Sequence, residues 1–176
     1  RAQELISRFD GYENWGWKDP RGSFTLPFWQ ELIPDLKVVV CLRSPSEVAQ
    51  SFYRRGYSST LFSFNLWQSY YESLLSALSG KDYIVTHYES YFLNPKAEIT
   101  RLLNFLGISA EESKIEEACR AGVSSKLKHN RSMLEEMLDA KPKSRLTRMY
   151  IDMCLRAGEV YWGKYYPFLQ AITAHK

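Results

Sequence analysis

The stretch Lys37 to Arg54, KVVVCLRSPSEVAQSFYR, holds a strand, a tight turn and a helix start in eighteen residues. Val38, Val39 and Val40 lead into Cys41 and Leu42. A continuous apolar, β-branched run of this length predicts a strand buried on both faces, as in a parallel sheet. The chain then changes character at Ser44-Pro45-Ser46-Glu47, which has the pattern of a capping box with proline at the first helical position. In that motif Ser44 accepts from the Glu47 amide, and Glu47 reaches back to the Ser44 amide. A helix follows with Val48, Phe52 and Arg55 on one side, and its first breaker is Gly56.

Arg43 therefore sits at the carboxyl end of a strand and just before a helix N-terminus. Free amides and the positive end of the helix dipole favour an anion there. Ligands of open α/β sheets gather outside the carboxyl ends of the strands. The planar guanidinium of Arg43 suits a phosphate, and Ser51, two turns into the helix, can add a hydroxyl. A second reading stands beside this one: Arg43 pairs with a neighbouring carboxylate and Ser51 is an ordinary helix residue.

These residues resemble a known pattern. Arg43-Ser44-Pro45, then Val48, then Ser51, is similar to the 3′-phosphate-binding motif of the sulfotransferases, which reads roughly R-x-P-x-x-V-x-x-S. Two more stretches agree with that family in order and separation. Trp15-Gly16-Trp17-Lys18-Asp19-Pro20-Arg21 resembles the strand-end segment that precedes the motif in many bacterial members. Tyr88-Glu89, Asn94-Pro95 and Phe105-Leu106-Gly107 resemble its Y-E…N-P…F-L-G segment. The resemblance covers Tyr12 to Ile108 well and the remainder poorly.

The resemblance implies an α/β, three-layer, P-loop-like fold, with helices flanking a parallel sheet in a single domain over residues 1–176. It implies 3′-phosphoadenosine 5′-phosphosulfate as donor, without a metal, and sulfuryl transfer to an acceptor hydroxyl, with a glycan as acceptor by analogy with bacterial relatives. Arg43, Ser51 and Tyr88 would bind the donor. The basic segment Lys126 to Arg131, with Lys128 at its centre, stands where the family places a further clamp on the 3′-phosphate; a solvated charge run is the alternative. Lys18 and Asp19 would face the acceptor, Asp19 as base and Lys18 as stabiliser of charge. The family's 5′-phosphosulfate loop has no counterpart in the chain, which also starts at Arg1 rather than Met. The expectation is therefore a fold incomplete at its N-terminal strand, with an open sheet edge that invites association with a second copy. Two other readings stay open: a non-catalytic 3′-phosphoadenosine-binding module, and a nucleotide or small-molecule kinase-like protein.

The remaining sequence fits this frame. With 176 residues, 45% hydrophobic and 24% charged, the chain can build one sizeable core. A net charge of +3 gives no global basic field, which argues against a nucleic-acid partner. Cys41, Cys119 and Cys154 are too dispersed for a metal cluster and ask for no oxidising compartment, so cytoplasm is expected. No apolar run approaches the roughly 18 residues of a membrane helix, and no leader pattern opens the chain.

Further elements are read from periodicity. A short helix is expected in Arg1 to Phe9, a strand at Glu13 to Lys18, and a turn at Asp19 to Gly22. A helix follows over Leu26 to Leu32, and a long one ends near Ser79 with Trp67, Tyr71, Leu74 and Leu78 as its core stripe. Tyr83 to Tyr88 reads as a strand in which His87 is more often a structural residue than a catalyst. Asn94-Pro95 caps a helix that Gly107 ends. A second capping box, Ser109 to Glu112, opens a helix ending by Gly122. Ser144 to Ala157 presents Leu146, Met149, Tyr150 and Met153 inward, and the aromatic tail Tyr161 to Phe168 packs back on the domain.

Overall fold

The computed structural model describes residues 1–56, 59–122 and 144–163. It is an α/β structure with a two-stranded parallel sheet and several helices. The chain divides into two compact units, Arg1–Leu36 with Ser69–Lys81, and Lys37–Gln68 with the described part of Asp82–Lys176.

In the first unit, α1 (Ala2–Ser7) precedes an irregular segment that leads into α2 (Gly22–Leu32). The strand expected at Glu13 to Lys18 does not form. An extended chain turns Trp15 and Trp17 to one side, and these rings stack on each other at 5.8 Å, with Phe9 stacked on Trp15 at 4.7 Å and Trp29 tilted against Trp17 at 5.3 Å. Side-chain stacking, not a backbone ladder, holds the segment. Helix α2 starts four residues earlier than expected, and it tolerates Pro27 in its interior. Proline has no amide to donate to the carbonyl four residues back. That carbonyl belongs to Ser23, and the Ser73 hydroxyl donates to it at 2.9 Å. One side chain of the neighbouring helix thus repairs the gap that Pro27 leaves.

The second unit carries the sheet. Strands β1 (Val38–Leu42) and β2 (Tyr83–His87) pair in parallel, with Val38 opposite Tyr83 and Leu42 opposite His87. Helix α3 (Pro45–Arg54) follows β1, and α4 (Thr60–Ala77) leads back toward β2. Val40, Leu42 and Val85 are core residues, whereas Cys41 is exposed. β1 is therefore buried on one face rather than on both as expected. Only two strands form the sheet among the described residues, and its other face is covered in part.

After α5 (Ser90–Leu93), α6 (Pro95–Leu106) has the predicted ends. The Asn94 side chain accepts from the Ala97 amide at 3.1 Å, and Gly107 closes the helix with a φ of 74°, a conformation that favours glycine. Lys37 donates to the last carbonyls of the helix, Phe105 at 3.1 Å and Leu106 at 2.7 Å, where a cation also complements the helix dipole. Glu98 of α6 is fully buried. It is paired with Arg101 at 2.7 Å and hydrogen-bonded to Thr86 of β2, while Arg101 also donates to the Val85 carbonyl at 2.6 Å. This buried ion pair fastens α6 to the strand.

Helix α7 (Glu112–Gly122) begins at Glu112 rather than at the expected Ser109 box, because its first turn is built on the Glu111 carbonyl. Helix α8 (Arg145–Arg156) is capped by Ser144, which accepts from the Thr147 amide at 3.1 Å. It buries Tyr150, Ile151, Met153 and Cys154. Trp162 of α9 (Glu159–Trp162) is buried, in line with the first part of the expected aromatic tail, and Tyr165 to Phe168 lie outside the described residues.

Candidate functional site

The parallel register decides where Arg43 goes. Leu42 and His87 are partners, and the ladder continues with the Tyr88 amide donating to the Leu42 carbonyl at 2.8 Å. Arg43 and Tyr88, each one step further, emerge side by side at the carboxyl ends of the two strands. The Arg43 guanidinium carbon lies 4.5 Å from the centre of the Tyr88 ring, within cation–π range. Two donor-binding candidates far apart in sequence are thus in contact.

The turn between Arg43 and α3 differs from the expected capping box. Ser44 stands at the N-cap but makes no side-chain cap bond. Glu47, buried, turns its carboxylate to Arg43, with Nε to Oε2 at 3.2 Å. The guanidinium gives this carboxylate a charge-assisted hydrogen bond. The four-residue step from Arg43 to Glu47 was the signal for this pairing. It satisfies Nε only. Neither Nη nitrogen has a hydrogen-bond partner among the described residues. Ser51 is half-buried, four residues beyond Glu47 on the same face of α3. Arg43, Glu47 and Ser51 therefore follow one line from the strand end up the helix.

Behind this edge lies a buried aromatic and polar layer. Trp67 Nε1 donates to the Arg43 carbonyl at 3.0 Å. His87, fully buried, accepts the Glu89 amide at Nδ1, 3.2 Å away, so its proton sits on Nε2 and is donated to the Tyr150 hydroxyl at 3.0 Å. Burial, and secondarily the positive charge of Arg43, push the His87 pKa down to about 3, so the ring is neutral. Tyr161 stacks on His87 at 3.7 Å; burial, and then the charge of the Glu89 carboxylate, push its phenol pKa upward. Burial also raises Tyr150 and Cys154. Trp67, His87, Tyr150 and Cys154 are too deeply buried to meet a substrate. His87 is structural, as expected of a lone histidine at a strand end. The sequence carries no local sign of the Trp67 and Tyr150 contacts, because both residues come from distant helices.

Lys18 and Asp19 belong to the first unit. Lys18 is exposed. Asp19 accepts from the Arg21 amide at 2.9 Å, its carbonyl accepts from the Gly22 amide at 3.0 Å, and it pairs with the Arg21 guanidinium at 3.6 Å. It thus shapes the predicted turn and opens α2. Lys126 and Lys128 lie outside the described residues. Among the described residues no group of three or more His, Cys, Asp or Glu is placed to hold a metal, and no helix is long and apolar enough to cross a membrane.

A family model described as "Sulfotransferase domain" matches residues 28–160, more than half of the chain. The chain belongs to the sulfotransferase family. The match contains Arg43, Ser51, Tyr88 and the 126–131 segment of this sulfotransferase, and it begins after Lys18 and Asp19. No curated protein and no solved structure gives a significant match.

Proposed function

We propose that this sulfotransferase takes 3′-phosphoadenosine 5′-phosphosulfate as donor and holds its 3′-phosphate at the carboxyl end of β1. The observation that carries the reading is the Arg43 guanidinium beside a helix N-terminus, fixed on one side by Glu47 and beneath by Tyr88, with neither Nη nitrogen hydrogen-bonded among the described residues. Two parallel N–H groups on one rigid fork match two oxygens of a phosphate. The Ser51 hydroxyl supplies a further donor up the helix, and Lys126 and Lys128 are proposed as an outer clamp. When bound, the donor supplies the sulfuryl group; this chain's part is to bind, orient and neutralise. Lys18 is proposed to stabilise charge and Asp19 to accept the proton of an acceptor hydroxyl, with a carbohydrate as the acceptor class. The proposed architecture is a single P-loop-like, three-layer domain.

The test is calorimetric titration of Arg43→Ala with 3′,5′-bisphosphoadenosine and with adenosine 5′-phosphate. A charged hydrogen bond contributes about 1.5–3 kcal/mol, so the bisphosphate should bind roughly tenfold to a hundredfold more weakly. Ser51→Ala should cost about 1 kcal/mol. Adenosine 5′-phosphate should not distinguish the variants. Equal losses for both nucleotides would refute the 3′-phosphate contact. A sulfate-transfer assay on the unaltered protein separates a transferase from a 3′-phosphoadenosine-binding module.

A further inference from the structure

Arg43 and Tyr88 are supported from behind by a closed circuit of contacts that runs through one residue of α8. Trp67 donates to the Arg43 carbonyl at 3.0 Å, and its ring meets Tyr150 edge-on, with centroids 6.1 Å apart and planes at 76°. The Tyr150 hydroxyl accepts the His87 proton at 3.0 Å. His87 immediately precedes Tyr88 and also holds the Glu89 amide that follows it. Tyr88 closes the circuit beneath the Arg43 guanidinium. Tyr150 is 2% exposed, so it cannot touch a ligand at the strand ends itself.

The hydroxyl of Tyr150 has a specific task in this circuit. It is the acceptor that keeps the His87 proton on Nε2. Without it, the ring either leaves a buried N–H unpaired or moves its proton to Nδ1. In the second case two donors, Nδ1–H and the Glu89 amide, face each other and the turn holding Tyr88 must shift. Either outcome loosens the ring on which the Arg43 guanidinium rests, while the edge-on contact of Tyr150 with Trp67, made by the ring, is kept.

We propose that Tyr150 is a positioning residue for the 3′-phosphate contact, acting through Trp67 and His87 on Arg43 and Tyr88. The proposal rests on the donor reading given above.

The experiment uses the full chain and calorimetric titration of the same two nucleotides, with the ratio of their affinities as the readout. Tyr150→Phe keeps the buried ring and removes the hydroxyl. It should weaken 3′,5′-bisphosphoadenosine about threefold to tenfold and leave adenosine 5′-phosphate within about twofold. Trp67→Phe, which removes only the donor to the Arg43 carbonyl and part of the ring, should shift the ratio in the same direction and serves as the second variant if Tyr150→Phe folds poorly. In the Arg43→Ala background, Tyr150→Phe should cost nothing further in that ratio, because the contact it positions is gone. If Arg43→Ala changes the ratio and neither Tyr150→Phe nor Trp67→Phe does, the positioning role is overturned and the donor reading stands. If Arg43→Ala itself leaves the ratio unchanged, the donor reading falls and the positioning role with it. A merely structural Tyr150 would lower the melting temperature and weaken both nucleotides alike, which also overturns the proposal.

Discussion

Mild acid should destabilise this protein through His87. The ring is fully buried, neutral and bonded at both nitrogens, and its pKa stands at about 3 against an ordinary 6.5. The unfolded chain takes up a proton as the pH falls through about 6.5, while the folded chain does not until about 3. Between those values the unfolded state binds more protons, so stability rises with pH across the window and is lost on acidification. Above pH 7 both states are neutral at this site and His87 adds no slope. From pH 7 to pH 5 the linkage amounts to about 2 kcal/mol, and by pH 3 to roughly 4. With a urea slope of about 2 kcal/mol per molar, the midpoint should fall by about 1 M between pH 7 and pH 5. The assay is urea unfolding followed by tryptophan fluorescence at the two pH values, on the unaltered protein and on His87→Gln. Glutamine stays neutral throughout and can still donate to Tyr150. Acidic groups titrate in both proteins, so the difference between the two slopes isolates His87. The same pH dependence in His87→Gln as in the unaltered chain would refute the reasoning.

Two further outcomes follow from particular contacts. Arg101→Ala leaves the carboxylate of Glu98 buried without its cation, and should destabilise the protein by about 3–5 kcal/mol in urea unfolding, with much of the loss recovered when Glu98→Gln is added. Asp19→Asn preserves an oxygen to accept the Arg21 amide; sulfate turnover should drop while bisphosphate affinity stays within about twofold, and unchanged turnover would leave Asp19 with its turn-forming role alone.

The sequence exposed those parts of the fold that are governed by neighbours in the chain. The apolar run ending at Leu42, the proline at Pro45, Asn94 before α6 and Gly107 after it all act within a turn or two, and each element begins or ends where they place it. Contacts between distant segments were not legible. Trp15 and Trp17 alternate as in a strand, yet their period says nothing about whether a neighbouring strand exists, and aromatic stacking won. The start of α2 at Gly22, four residues before the expected Leu26, was not legible, because the Ser73 hydroxyl that accommodates Pro27 in its interior lies in a different helix. At the site, Arg43, Ser51 and Tyr88 were visible as motif residues, and the contact between Arg43 and Tyr88 required the strand register. Glu47 shows two local rules in competition. The capping pattern assigned it to the Ser44 amide, while a cation four residues earlier offers it a charged partner.

That competition bears on how Arg43 functions. A guanidinium only 29% exposed at the end of a strand loses hydration, and it would be costly to hold there with nothing opposite it. The buried Glu47 carboxylate and the face of Tyr88 compensate the charge before any ligand arrives. They do so from the Nε side and from below, which fixes the plane of the fork and uses neither Nη nitrogen. A salt bridge to both Nη groups would have stabilised the arginine equally well and closed it to phosphate. An anion arriving at this edge meets a cation already oriented, so little side-chain entropy is lost on binding. The carboxylate has an opposing effect, because it also repels the incoming anion. Removing it by Glu47→Gln therefore trades weaker repulsion against a less constrained fork, and the sign of the change in bisphosphate affinity reports which effect dominates.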